Sequence, residues 1–162
     1  SAVTGVHNHS ERFELTTLWE LVRDCRARIA KVFSYLEPEL VEALALVVSE
    51  LAENVVKYGV LEPAAPPVMS VEVTRERIVV RAENFVRSDY DARLACRLIE
   101  TAMADLASHG PEEAYALAIQ KTMAQRSQHS RQGFHRIAAV GGFQLRAERH
   151  GKKLIIIGER AL

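Results

Sequence analysis

The chain reads as an α+β two-layer sandwich, with helices gathered on one face of a mixed, mostly antiparallel sheet. Three observations predict it. Two long stretches of helical apolar periodicity stand back to back before any strong strand signal. A hairpin pattern of alternating apolar and charged residues follows them, and after further helical segments the chain closes on a second hairpin. Grouped helices and neighbouring hairpins bury their apolar faces by packing one helical layer on one sheet. The 162 residues, 48% of them hydrophobic, suffice for one core, read as a single domain over 11–162 behind a flexible end at 1–10.

Each element has its own signal. Phe13 and Leu15 alternate with charges, which predicts a short strand over 11–15. Thr16 and Thr17 offer an N-cap. After them Leu18, Leu21, Val22, Cys25, Ile29, Val32, Phe33 and Leu36 keep the i, i+3, i+4 rule of a helix. Glu37-Pro38 starts a second helix with Pro in its first turn, and Gly59 stops it after Tyr58. Residues 61–67 form a linker rich in Pro and Ala. Strands are predicted over 68–74 and 77–83, joined by a tight Arg75-Glu76 turn. Val71, Val73, Ile78, Val80 and Ala82 mark their buried face. Ser88-Asp89 caps a helix to about 108, His109-Gly110-Pro111 breaks it, and another runs from 111 to 126. Residues 127–132 read as a polar loop and 134–140 as a short helix ended by Gly141-Gly142. The last hairpin is predicted over 143–149 and 153–158, whose Leu-Ile-Ile-Ile run marks a buried strand.

Composition excludes some functions. Lys plus Arg and Asp plus Glu number 21 each, and no long charge block occurs, so steering toward nucleic acid or an anionic membrane surface is not supported. Apolar runs are short, which predicts no membrane span and a cytoplasmic protein. Cys25 and Cys96 sit in helical apolar patterns without a CxxC partner and read as core residues. His129 and His135 have no partners at metal-ligand spacing, His7-x-His9 falls in the flexible end, and no G-x-S-x-G nucleophile motif occurs.

The stretch Ser49-Glu50-Leu51-Ala52-Glu53-Asn54-Val55-Val56-Lys57-Tyr58-Gly59 carries the sharpest functional signal. Glu50, Asn54 and Lys57 fall within roughly a 60° arc of the helix surface. They border a stripe of Leu40, Leu44, Val47, Val48, Leu51, Val55 and Tyr58. A carboxylate, an amide and an ammonium at the edge of a core-facing stripe suit a charged ligand. This pattern resembles the N-box of the Bergerat-fold (GHKL) ATPases, the superfamily of sensor histidine kinases and anti-sigma-factor kinases. The likeness runs over residues 15–158 and is closest to a divergent, stand-alone bacterial branch of regulators. In that branch a strand ends in V-E-N, as Ala82-Glu83-Asn84 does here, and a glycine segment leads to a final hairpin.

The resemblance implies roles. Glu50 would orient or activate a nucleophile, Asn54 would hold Mg²⁺, Lys57 would face phosphate oxygens and Tyr58 would lie near the nucleotide. Glu83 or Asn84 would accept from the adenine amino group, although the glycines that normally follow are replaced by Phe85-Val86. Gly133 is the surviving glycine of the phosphate lid. Arg131 stands where the first glycine would be, and Arg126, Arg131 and Arg136 are cations for phosphate. Glycine is what close backbone approach to a ligand needs, so both glycine boxes are degenerate.

Two functions follow. In one, the domain binds Mg·ATP and acts in a bacterial partner-switching pathway as an anti-sigma-factor-like serine kinase, an ATPase, or a sequestering protein. Its partner would be a STAS-type antagonist or a sigma factor. In the other, it is a nucleotide-free interaction module in which a Phe85 plug and the helices of 89–126 fill the old pocket. Exposed apolar residues near the N-terminus leave a homodimer open.

Overall fold

The structure, a computed structural model, describes residues 8–14, 19–60, 66–125 and 130–162. The order is β1 (Asn8–Glu14), α1 (Trp19–Val32), α2 (Pro38–Tyr58), β2 (Val68–Thr74), β3 (Arg77–Phe85), α3 (Asp89–His109), α4 (Pro111–Gln125), α5 (Ser130–Ala139), β4 (Gln144–His150) and β5 (Lys153–Ala161). The five strands form one sheet in the order β1-β2-β3-β5-β4, and every neighbouring pair is antiparallel. The α+β two-layer architecture read from the sequence is the one observed.

Alternation decides which strand residues meet the helices. Met69, Val71 and Val73 of β2 and Ile78, Val80, Ala82 and Asn84 of β3 are buried, with charged or half-buried residues between them. Leu154 and Ile156 of β5 and Leu145 of β4 continue this face and join the main core with α2, α3 and α5. Ile155 and Ile157 point the other way. Each is buried between Arg81 and Glu83 on β3 and Arg146 and Glu148 on β4, which pair with each other at 2.6 and 2.8 Å along their strands. The aliphatic stems of long charged side chains cover apolar neighbours in this way.

α2 follows the sequence reading to the residue, with Pro38 at its first turn and Gly59 closing on the Val55 carbonyl at 2.8 Å. Leu40, Leu44, Val47, Val48, Leu51 and Val55 are each no more than 5% exposed. α1 packs along α2 and ends at Val32, short of Leu36, because residues 33–35 turn to meet the next helix. Phe33 is fully buried there, with its ring centroid 4.8 Å from that of His9 on β1. β1 begins at Asn8, so the last three residues of the predicted loose end belong to the sheet. Ser88 caps α3 by accepting from the Asp91 N–H at 3.2 Å.

The largest departure is α5. It begins at Ser130, so part of the predicted polar loop is helix and Gly133 lies inside it. α5 packs against α2, α3 and α4 at once, with Phe134 and Ile137 almost wholly buried.

Candidate functional site

The site builds from the second half of α2. Glu50 lies on the rim of the apolar stripe and is 8% exposed. A buried carboxylate needs a counter-charge or hydrogen bonds, since desolvation penalises an isolated ion. Arg136 of α5 supplies one: its Nη1 donates to Glu50 Oε1. The same guanidinium donates from Nε to the Tyr115 hydroxyl of α4 at 3.3 Å. Burial works against the charged form of Arg136. The Tyr115 hydrogen bond and the Glu50 charge outweigh it, holding the guanidinium above its ordinary pKa.

Gly133 explains how α5 comes so near. A Cβ built on it would lie 2.9 Å from Glu50 Oε2, closer than side-chain carbons are found. One turn of α5 therefore lays a bare backbone against the carboxylate while the next places the arginine on it. Glycine in a helix interior costs about 1 kcal/mol relative to alanine; at Gly133 it lets the α5 backbone lie against the carboxylate without shifting the Glu50 side chain. On the neighbouring residue the helix faces another way. His135, 2% exposed, has Nε2 3.0 Å from Asp105 Oδ2 of α3.

Asn54 sits one turn beyond Glu50. It is half-buried, and its Nδ2 is fully enclosed with no hydrogen-bond partner among the described residues. Lys57 and Tyr58 lie in the last turn of α2 by backbone, and their side chains fall outside the described residues. At the end of β3, Asn84 is buried on the helix side and its Nδ2 donates to the Phe85 carbonyl at 3.3 Å. Gly59 lies against it: a Cβ there would meet Asn84 Nδ2 at 2.9 Å and the Val55 carbonyl at 2.5 Å.

The structure thus brings Glu50, Gly133 and Arg136 together, with Asn54 and Asn84 on the same side of the sheet as α2. Glu83 is not among them. Strand alternation puts it on the outer face, paired with Arg81 at 2.6 Å, so of the two adenine acceptors read from the sequence only Asn84 faces the helices. Phe85 shares that outer orientation and is 40% exposed, so it plugs nothing; Val86, 4% exposed, fills the space. Arg131 contributes backbone to α5, and its side chain, like Arg126 and His129, lies outside the described residues. Sequence reasoning missed Tyr115 and Asp105, which carry no motif. Cys96, within α3, is half-buried and packs against the core, whereas Cys25 is buried in it.

Glu50 is committed to Arg136, and Gly133 stands in a helix against Glu50, not in a loop that wraps phosphates. Among the described residues, no cluster of three or more His, Cys, Asp or Glu is placed to hold a metal ion. No helix among them is long and apolar enough to cross a membrane. A scan against protein-family models finds no match, and no curated protein matches the chain.

Proposed function

We propose that the chain is a regulatory protein-binding domain that works without bound nucleotide, in the sense the Bergerat-type resemblance implies. It would act in the cytoplasm within a bacterial partner-switching system, toward a STAS-type antagonist or a sigma factor. The observation that supports this reading is the closure of α5 on α2. Arg136 neutralises Glu50 from within the protein, where a kinase of the resembled kind needs the carboxylate facing substrate. Gly133 packs against the same carboxylate, so α5 meets α2 at Glu50.

Calorimetric titration with ATP and ADP, with and without Mg²⁺, tests the proposal. No heat and no thermal shift at millimolar nucleotide are expected. Micromolar, Mg²⁺-dependent binding that Asn54→Ala abolishes would overturn it. One observation favours that second reading, a nucleotide-binding serine kinase or ATPase: the enclosed Nδ2 of Asn54 has no partner among the described residues, and buried polar atoms normally have one.

A further inference from the structure

The outer face of the sheet pairs its own charges along most of its length. Arg77 and Arg81 of β3 and Arg146 of β4 meet Glu159, Glu83 and Glu148 at 2.9, 2.6 and 2.8 Å. At the end of the sheet beside the β4–β5 turn this pairing stops. Register sets Phe85, Lys153 and His150 in one row across β3, β5 and β4, and partners in register share a face. Lys152 lies in the turn, Arg87 stands two residues beyond Phe85, and Arg149 ends β4 on the helix side, so positive charge wraps this corner. Among the described residues none of Arg87, Arg149, Lys152 and Lys153 is in an ion pair. Of the nearest carboxylates in the chain, Glu148 already holds Arg146. Asp89 and Asp91 lie in the first turn of α3, where the positive end of the helix favours them. Counted in full, those two still leave the four cations in excess. The corner is also held in shape. The Val86 N–H donates to the Lys152 carbonyl at 2.9 Å and ties the turn to the end of β3. Gly151 carries the turn at a φ of +62°, with open space where a Cβ would stand.

We propose that this corner docks an acidic segment of a partner protein, its carboxylates on Arg87, Arg149, Lys152 and Lys153 and an apolar side chain on the exposed ring of Phe85. The proposal rests on the protein-binding reading above and gives that reading a face and a partner chemistry. Complementary charge sets which partner is accepted and in what orientation. An aromatic ring among guanidinium groups is the composition that contact surfaces favour. A turn already fixed against β3 spares the cost of ordering it on binding. The chain is neutral overall, which gives no long-range pull toward an anionic bilayer. A protein segment in contact needs only the local excess. A second copy of this chain would bring two such basic corners together.

Binding of a synthetic peptide, phenylalanine flanked by glutamates, to the intact chain tests this, with its glutamine and lysine counterparts as controls. Only the glutamate peptide is expected to bind, and more weakly as salt rises. Carbodiimide, which joins a carboxylate to an amine it touches, should couple it to Lys152 and Lys153 ahead of Lys31 on α1. The pair Lys152→Glu and Lys153→Glu should weaken binding by about tenfold or more, and Phe85→Ser by about threefold or more. The equal charge change Arg26→Glu with Lys31→Glu, at exposed positions of α1, should leave affinity within about twofold, because salt screens charges away from the contact. No binding of the glutamate peptide, an equal loss in the α1 variant, or coupling spread evenly over the lysines overturns the proposal. So does binding to vesicles of phosphatidylserine and phosphatidylcholine in place of the peptide, or a dimer held through this corner that shuts the peptide out. The protein-binding reading fails instead on nucleotide binding in the titration above, so the two fail separately.

Discussion

Replacing Arg136 by Met keeps an unbranched stem in the space between α2, α4 and α5 and strips the counter-charge from Glu50. The side chains are 11% exposed for Glu50 and 32% for Arg136. A fully exposed pair contributes about 0–1 kcal/mol, whereas breaking a buried one costs about 3–5 kcal/mol. One buried and one partly exposed partner put Arg136→Met at about 2–3 kcal/mol on that scale. At about 2–4 °C per kcal/mol for a domain of this size, Tm falls by about 4–12 °C. Most of that loss is the charge left on Glu50, not the missing contact. Adding Glu50→Gln to Arg136→Met is therefore expected to recover more than half of it. Urea and thermal unfolding of the parent, both single variants and the double variant complete the cycle. A coupling of at least about 1 kcal/mol is expected between directly bonded partners. Additive effects, or a Tm drop for Arg136→Met under about 2 °C, would refute the ion pair as the link between α2 and α5.

Three further outcomes are expected. Asn54→Leu removes the enclosed Nδ2, which has no partner among the described residues, and should raise stability by about 1 kcal/mol in urea unfolding; a loss would mean the amide has a partner. Gly59→Ala places a methyl 2.5 Å from the Val55 carbonyl and 2.9 Å from Asn84 Nδ2 at an ordinary φ of −79°, so its cost of about 1–3 kcal/mol is steric, and an unchanged Tm would contradict that approach. Burial pushes both thiols up, with Glu100 adding to the effect at Cys96 and Arg149 opposing it. Cys96 should thus react with a disulfide reagent before Cys25, at a rate still rising past about pH 8.5, the ordinary thiol value. Because the fold holds these thiols protonated, their contribution to stability is complete below that ordinary value and declines above it; a rate that levels off in neutral solution would refute the shift.

The elements legible in the sequence are those whose periodicity is complete within themselves. α2 announces itself by seven residues on one core-facing stripe, a proline at its start and a glycine at its end. β2 and β3 announce themselves by strict alternation. What failed needed a partner to be seen. Glu83 and Asn84 are equivalent acceptors on paper, yet one step along a strand turns a side chain to the opposite face, and only the register with β2 and β5 separates them. Ile155 and Ile157 look like core residues beside Leu154 and Ile156. They are covered instead by Arg–Glu pairs on two other strands, one of them more than sixty residues away in sequence. Gly133 reads as a loop residue because glycine disfavours helix. In the fold it lies inside α5 against Glu50, 83 positions away, a contact that no local pattern announces. Arg136 was visible as a cation for phosphate, but nothing local shows that its anion is already in the chain.

His135 and Arg136 are adjacent in sequence and grip different helices, one holding α3 through Asp105 and the other α2 and α4 through Glu50 and Tyr115. α5 is thus a linchpin one turn wide. Drawing it away from α2 must also unseat it from α3, because a rigid helix cannot rotate one residue out without carrying its neighbour. The three helices then share one opening event, and their slowest amide protons should exchange at one common free energy. A displacement of α3 at Asp105 would, through that same pin, be felt at Glu50.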